Sequence, residues 1–426
     1  MDAPFAGFDQ SLVRGVPVLH RRDSLGKTFR VAVLWRRPLD AQQAARALLP
    51  ALLQHGTARH PDRPALLRAR ERLYGASTGF GVGRHGESSV LRLSADAVAG
   101  QFLPSRPDQF SALQELLAEQ LLRPRLVTPG LPRSIFERER AQALASARSV
   151  VDDKGRLARS SAVLAACAGE PYGVEDHGGE AAIAATEPDG PAAMLADYVQ
   201  HGSPFVLLAG VIPDDLHAAL SPLLSALPPW TPFTAPPLVQ PAPRAVRVVR
   251  DHAEMQQAKV VLVLRTPVPT LPAQLCVLHV ALSLWGGGPH SRLFTEVREK
   301  RSLCYYASAG GDSDKGLVIV QSGCDAHAAP AVAEQSMAQL AEIAAGRFSD
   351  AELSTAIAVC QGPLRSVDDS PAARLSFTAE QYLRGFDEKP EQRIAALGRV
   401  RRDDVVAAAQ SLWLDLDYAL LPRTGS

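Results

Sequence analysis

The stretch GGGPHSRLFTEVREKRSLCYY, from Gly286 to Tyr306, holds the residues whose types and spacing are most suited to chemistry. A charged segment carries Arg298, and two tyrosines follow it, the first being Tyr305. Both side chains are hydrogen-bond donors. The alternatives are structural: Arg298 as one charge on a solvated helix face beside Glu296 and Glu299, and Tyr305 as an ordinary strand aromatic. Adjacent strand residues point to opposite faces, so one tyrosine is expected inward and one outward.

Gly286, Gly287 and Gly288 precede this charged segment. A glycine run that opens a helix can cradle a phosphate, but the stretch lacks the G-x-x-x-x-G-K-[ST] spacing of a phosphate loop. We therefore expect the glycines to cap a buried helix that ends at Trp285 and to allow close backbone approach. A substrate strand adding to an exposed sheet edge could use such an approach.

The composition excludes several classes of protein. The 426 residues are 46% hydrophobic and carry 45 basic and 45 acidic side chains, so no net charge favours nucleic acid or an anionic membrane. The five cysteines are scattered and form no C-x-x-C pair, which argues against a disulfide framework or a cysteine zinc site. No signal peptide and no apolar run of membrane-spanning length is evident. These observations predict a cytoplasmic protein.

Three matches between the two halves of the chain predict a tandem duplication. VAVLWRRP, ending at Pro38, and VVLVLRTP, ending at Pro267, both read as an apolar strand before an apolar helix. RLYGAS and LCYYAS precede glycine-rich turns about 230 residues apart. ARSVVDD at 147–153 resembles LRSVDD at 364–369. The matches occur in the same order, as expected of a repeated unit.

Each half is predicted to be an α+β unit. Strands joined by tight glycine turns indicate antiparallel pairing, and helices gathered in runs indicate a helix layer over one face of the sheet. The segment 225–244 contains seven prolines and suits an extended linker. We therefore predict an N-terminal domain over 1–224, the linker over 225–244 and a C-terminal domain over 245–426.

These features together resemble the insulinase/pitrilysin family of zinc metallopeptidases, and in particular its half-length bacterial members and the processing-peptidase subunits. The likeness covers nearly the whole chain in organisation, and its specific part is the stretch from Gly286 to Tyr306. The resemblance implies a duplicated clamshell-half fold. It also implies that Arg298 anchors substrate and that the Tyr305 hydroxyl stabilises the oxyanion formed at the scissile carbonyl.

The catalytic motif of that family, H-x-x-E-H, is absent. Two histidines four residues apart share one helix face and one zinc ion, and the glutamate polarises the zinc-bound water. Counted back from the Gly-Thr pair that follows the helix, the histidine positions hold Ala47 and Ala51 and the glutamate position holds Pro50. The distal glutamate ligand aligns with Ser146. None of the four is a zinc ligand of the expected kind, so no metal is expected in this chain.

Nearby histidines could in principle replace the lost ligands. His55 and His60 lie five residues apart across a Gly-Thr break, and His85 lies in a predicted turn. No single helical face presents them, and we expect them to be solvent-exposed loop residues rather than zinc ligands. An active zinc peptidase with unusual ligands would require stoichiometric zinc in purified material.

The resemblance implies a non-catalytic subunit of a bacterial peptidase. A homologous H-x-x-E-H subunit would hold the zinc, and this chain would supply Arg298 and Tyr305 to an enclosed, unfolded peptide. The alternative is a peptide-binding or structural pseudoenzyme, acting alone or as a homodimer. The sequence does not identify the substrate, the partner or the biological process.

Overall fold

A computed structural model describes residues 4–23, 26–126, 131–225, 227–228, 230–234 and 238–423. The chain forms two compact units. The first unit contains residues 1–147, 174–236 and 368–383, and the second contains residues 148–173, 237–367 and 384–426. Each unit thus includes one segment from the other half of the sequence, and neither is contiguous along the chain. The linear boundaries at 224 and 245 stay a prediction.

The described part of the chain contains strands of five to eleven residues. They are β1 (Asp9–Val13), β2 (Val16–Arg22), β3 (Thr28–Pro38), β4 (Ser77–His85), β5 (Ser88–Val98), β6 (Phe205–Gly210), β7 (Arg247–Ala253), β8 (Ala258–Arg265), β9 (Tyr306–Asp312), β10 (Leu317–Cys324) and β11 (Trp413–Pro422).

Helices fill most of the remaining sequence. They are α1 (Gln43–Leu52), α2 (Arg63–Arg72), α3 (Gln109–Leu122), α4 (Arg133–Ser149), α5 (Lys154–Ala166), α6 (Glu180–Ala185), α7 (Asp189–His201), α8 (Leu216–Leu224), α9 (Pro272–Gly286), α10 (Ala329–Ala344), α11 (Asp350–Arg365), α12 (Pro371–Arg384), α13 (Pro390–Gly398) and α14 (Arg402–Ser411). Leu293–Glu299 forms a π-helix, and Gly100–Phe102, Ala326–Ala328 and Val367–Asp369 form short 3₁₀ turns. Within the described ranges, no helix is long and apolar enough to cross a membrane.

The two sheets share one strand order, which confirms the predicted α+β fold and its duplication. The first sheet runs β1-β2-β6-β3-β5-β4 and the second runs β7-β11-β8-β10-β9. Removing β1 makes the two orders equivalent, strand for strand. The hairpins β4–β5 and β9–β10 are antiparallel as predicted. One pair in each sheet, β2–β6 and β7–β11, is parallel because the last strand of the unit returns after a long helical crossover.

The strand sequences explain which strands are central. All six residues of β6, FVLLAG, are buried, and β8, AKVVLVLR, is buried at every position except Lys259. Continuous apolar runs of this kind suit strands that are covered on both faces. β7 instead has no fully buried residue: three of its residues are half-buried and four are exposed, as expected of a strand at the edge of a sheet.

Each sheet is covered by helices on both faces, whereas the sequence predicts a layer on one face only. In the second unit, α5 places three small residues, Ala158, Ala162 and Ala166, against the face of the sheet opposite α9. Their spacing of four aligns them on one side of the helix and lets it approach closely. In the first unit, Leu375 and Ala379 of α12 cover the corresponding face.

The two helices that come from the other half of the sequence are equivalent in the duplication. The matching motifs ARSVVDD and LRSVDD immediately precede α5 and α12. The same element of each repeat has therefore been exchanged between the two compact units. Within the second unit, Glu170, which follows α5, is held by Arg265 at 2.7 Å and by Lys315 at 2.6 Å.

Candidate functional site

α1 carries the three positions that the sequence aligns with the H-x-x-E-H motif, an assignment that stays a prediction. Ala47, Pro50 and Ala51 lie three and four residues apart, so they share one face of the helix. That face is the less buried side of α1, with Ala47 and Pro50 half-buried and Ala51 exposed. Neither alanine nor proline has a side-chain donor atom for a metal.

The fourth zinc position does not restore the site. Ser146 lies exposed on α4 and offers a hydroxyl where the family uses a carboxylate. Over the described ranges, no three His, Cys, Asp or Glu side chains are close enough to hold a metal ion together. The residues present in this chain therefore do not fit the family's zinc ion.

The prediction that His55 is solvent-exposed is wrong. Its side chain is 6% exposed, and its Nε2 lies 2.9 Å from Oε1 of Glu139 on α4. The backbone N–H of His55 donates to the Leu52 carbonyl, which folds the residue back under the end of α1. His60 and His85 are half-buried rather than exposed. A partner 84 residues away in sequence cannot be recognised from the local pattern around His55.

The inward side of α1 is held by buried polar contacts that the sequence did not reveal. Arg46, whose side chain is 2% exposed, donates to both carboxylate oxygens of Asp40 at 2.8 and 2.9 Å. Ser89 links Gln43 and Tyr198, with its Oγ 2.6 Å from the tyrosine hydroxyl. Burial raises the pKa of Tyr198 to about 12, so this phenol stays protonated. These contacts fix the helix without a metal ion.

The three glycines of the second unit end α9 and allow a close approach. α9 ends at Gly286, one residue beyond the predicted end, and Gly287 caps it. A Cβ atom at Gly286 would lie 2.4 Å from the backbone nitrogen of Ala309 on β9. Gly288 has φ of +139°, a conformation that favours glycine. The close neighbour of Gly286 is thus this chain's own strand, and a role for the glycines in substrate binding stays a prediction.

Replacing Gly286 by alanine is expected to lower the free energy of unfolding by about 1–3 kcal/mol, the usual cost of overpacking. The new methyl group would meet backbone rather than a flexible side chain, so the strand must shift. Gly310→Ala is the matched control, because a Cβ there has no neighbour within 4 Å. Urea denaturation of both variants measures the difference. Equal effects would contradict the close packing of α9 on β9.

Arg298 lies on the π-helix with its side chain exposed. Its guanidinium stacks over the Phe294 ring, 4.5 Å from the ring centre. The other two arginines of the stretch pair with carboxylates: Arg292 with Glu352 at 3.0 Å and Arg301 with Glu296 at 3.4 Å. Among the residues that the structure describes, Arg298 pairs with no carboxylate. Its exposure is compatible with the structural interpretation of a charge on a solvated helix face, and its role in substrate binding stays a prediction.

Tyr305 lies immediately before β9 and is 52% exposed. Its hydroxyl donates to Oδ1 of Asp325 at 2.9 Å, and this hydrogen bond raises the pKa of the phenol. Its backbone N–H donates to Gly323 at 2.8 Å. The adjacent tyrosine, Tyr306, is 39% exposed, so the expectation that one of the two would be inward is wrong. Lys259 lies 5.4 Å from the centre of the Tyr306 ring.

A tight turn brings the arginine close to the start of β9. The N–H of Leu303 donates to the carbonyl of Val297, which closes the segment between them. Burial raises the pKa of the Cys304 thiol, while a hydrogen bond with Ser322 and the charge of Arg298 act in the opposite direction. The charge of Arg298 therefore acts on the residue next to Tyr305. Arg298 and Tyr305 are both exposed side chains of the second unit.

Two contacts of this site were missed by sequence reasoning. Phe294 supports Arg298, and Asp325 holds Tyr305. The first lies four residues before the arginine, a spacing that places side chains on one helix face. The second follows from strand register: Tyr306 pairs with Gly323, so the preceding tyrosine lies beside the end of β10, where Asp325 follows.

The fold and the site together define a class: a duplicated α+β protein whose described residues form no zinc site. Residues 203–360 match the family model described as the peptidase M16 inactive domain. The chain is 25% identical over 410 residues to the probable inactive metalloprotease YmfF of Bacillus subtilis, with 94% of each protein covered.

Two solved structures share the fold. A conserved protein from Enterococcus faecalis V583 matches with a TM-score of 0.89 at 24% identity, over 97% of this chain and 98% of that one. A peptidase M16 inactive domain from Pseudomonas fluorescens matches with a TM-score of 0.79 at 20% identity, over 98% of both chains. The chain is thus similar to M16 metallopeptidase-type proteins, including relatives described as inactive, which confirms the resemblance to the insulinase and pitrilysin family.

Proposed function

We propose that this chain is the non-catalytic subunit of a two-subunit zinc metallopeptidase. A homologous H-x-x-E-H subunit would bind the zinc ion and activate water, while Arg298 and Tyr305 of this chain would hold the peptide and stabilise the oxyanion. The substrate is an unfolded peptide. The chain acts in the cytoplasm, organised as the domains 1–224 and 245–426 joined by the linker 225–244. A homodimer is the alternative to the heterodimer.

One contrast supports the proposal: the residues aligned with the zinc ligands cannot bind a metal, whereas those aligned with the substrate-handling residues keep exposed donor groups. The zinc positions on α1 hold residues without donor atoms. In the second unit, Arg298 remains exposed and pairs with no carboxylate among the described residues, and Tyr305 is half exposed with a protonated hydroxyl. An exposed guanidinium is available to bind a peptide carbonyl or carboxylate in two-point fashion.

The proposal is tested by complementation. Peptide cleavage is measured for this chain, for its H-x-x-E-H homologue and for their equimolar mixture. The mixture is expected to be at least tenfold more active than either chain alone. Arg298→Ala is expected to reduce the activity of the mixture by raising KM, since an anchoring contact is lost. Arg301→Ala is the matched control, because Arg301 pairs with Glu296. Equal activity with and without this chain would overturn the proposal.

A second candidate function is a peptide-binding or structural pseudoenzyme. The contacts that favour it are those that already occupy the two side chains: Arg298 stacks on Phe294, and Tyr305 donates to Asp325. A purely structural role makes a different prediction for the same variants. Arg298→Ala would then lower the free energy of unfolding while leaving the activity of the mixture unchanged.

A further inference from the structure

The first and second sheets differ at one edge. In the first sheet β1 pairs antiparallel with β2, from Asp9 opposite His20 to Val13 opposite Val16. The equivalent of β2 in the second sheet is β7, which ends its sheet and has β11 as its neighbour. Residues 238–246, which lead into β7, form no strand. The described part of this chain therefore does not supply a strand equivalent to β1 at this edge.

The backbone of β7 is oriented so that alternate residues face the free edge. The carbonyl of Ala253 accepts a hydrogen bond from the N–H of Arg423, at the end of β11. Backbone groups alternate in direction along a strand, so Val248, Arg250 and His252 direct their N–H and C=O groups away from β11. Val248 is also 62% exposed. A row of outward backbone groups beside an exposed valine is a template for another strand.

A cavity adjoins this edge on the face covered by α5. Its volume is about 570 Å³, and its lining includes Lys154, Leu157, Ser161, Asp251, Tyr418 and Leu420. Val249 and Ala253 of β7 pack toward the same face. A strand added along β7 would direct every second side chain toward this cavity, which is how strand addition acquires sequence preference.

The cavity lining carries both signs of charge, with Asp251 and Glu254 beside Lys154 and Arg423, so the preference for a basic residue is local to Asp251. Asp251 is exposed and accepts a hydrogen bond from the buried Tyr418 hydroxyl at 2.9 Å, while Glu254 is exposed at the rim. Burial raises the pKa of Tyr418 to about 12, so it remains a donor to Asp251. The ammonium group of Lys154 donates to the Val151 carbonyl at 2.7 Å. A basic side chain placed opposite Asp251 would form a favourable cross-strand pair.

We propose that the free edge of β7 and the adjoining cavity bind an extended segment of another polypeptide. The segment runs antiparallel to β7, as β1 runs along β2, with aliphatic side chains toward the cavity and a basic side chain opposite Asp251. The site lies within the second unit and does not depend on the proposed peptidase role. Its test requires neither a catalytic partner nor enzymatic activity.

The test uses a fluorescein-labelled ten-residue peptide, titrated with the full chain and followed by fluorescence anisotropy. Every second residue is valine except one central lysine, so that the valines and the lysine share one face, and the intervening residues are threonine. Methylating alternate backbone nitrogens of the peptide is expected to weaken binding at least about tenfold, because edge hydrogen bonds are lost. Val248→Pro removes one outward N–H and is expected to do the same without lowering the Tm. Val248→Ala, which keeps that N–H, is the matched control.

Two outcomes would overturn the proposal. The first is equal binding of the methylated and unmethylated peptides, which would exclude strand addition even if the proline variant failed to fold. The second is absence of peptide binding together with self-association that Val248→Pro abolishes in sedimentation velocity, which would assign the edge to a second copy of this chain. The same peptide with glutamate in place of its central lysine, if it bound equally well, would contradict the role of Asp251.

Discussion

Replacing Asp415 by alanine is expected to lower the free energy of unfolding by about 3 kcal/mol, because it leaves a buried guanidinium without one of its partners. The Asp415 side chain is fully buried and accepts from Arg265 at 3.0 Å, Arg244 at 2.9 Å and Arg247 at 3.0 Å. Arg265 is 2% exposed, so water cannot replace the lost carboxylate. The estimate lies at the low end for a broken buried pair because Arg265 keeps Glu170 as a partner.

The matched control for this change lies two residues along the same strand. Asp417 pairs with Arg250 at 2.7 Å, and the Arg250 side chain is 34% exposed. Solvent screening limits such a surface pair to about 0.2–1 kcal/mol, so Asp417→Ala is expected to have a small effect. Urea denaturation followed by circular dichroism compares the two variants. If both variants lost the same free energy of unfolding, burial would not explain how much the Asp415 ion pairs stabilise the protein.

The contribution of Asp415 should also depend on pH. Burial alone favours the protonated acid, but hydrogen bonds from Arg244 and Arg265 and the charge of Arg247 outweigh it, and the pKa of Asp415 is lowered. A carboxyl whose pKa is lower in the folded state stabilises the protein above its unfolded pKa, which is about 3.9. This stabilisation is lost as the pH falls through the folded pKa. The free energy of unfolding of the wild type should therefore exceed that of Asp415→Ala by a constant amount above about pH 5. This excess should become smaller below about pH 4.

The duplicated fold could be predicted from the sequence because its signals are local. The apolar strands before Pro38 and Pro267 and the glycine turns after RLYGAS and LCYYAS mark the same elements in the same order. The sequence also predicts that the aligned zinc positions on α1 cannot bind a metal, since alanine and proline carry no donor atom in any conformation. The local sequence pattern was therefore enough to predict the types of residue at given positions and the order of the strands and helices.

The exchange of α5 and α12 could not be predicted because a helical pattern does not specify which sheet the helix covers. The alanine stripe of α5 would pack on either sheet. What distinguishes the second sheet is long-range: Arg265 donates to the Ala166 carbonyl at 2.8 Å and pairs with Glu170. The same limit applies to His55, whose burial depends on the distant Glu139. The placement of these helices and the burial of His55 involve contacts between residues far apart in sequence, which local periodicity cannot predict.

Replacing Tyr305 by phenylalanine is expected to lower the kcat of the two-subunit mixture by about 100- to 1,000-fold, the usual cost of removing one oxyanion donor. KM should change little, because the hydroxyl would act on the transition state rather than on the bound peptide. The hydrogen bond to Asp325 raises the pKa of Tyr305, so the hydroxyl should remain a donor throughout the neutral pH range. The reduction in kcat caused by Tyr305→Phe should therefore not depend on pH in that range.

The adjacent tyrosine supplies the control for this prediction. Tyr306→Phe removes the same atom from a residue that begins β9 and lies over Gly323, where a Cβ would come within 2.4 Å of the ring. That change is expected to leave kcat within about twofold, since the ring contact is kept. Steady-state cleavage by the mixture measures both variants. A Tyr305→Phe mixture with wild-type kcat would exclude the oxyanion role, and equal losses in both variants would indicate that the phenols act through the packing of β9 instead. Only a large loss confined to Tyr305→Phe supports chemistry in trans, because each variant removes a single phenolic hydroxyl from adjacent residues.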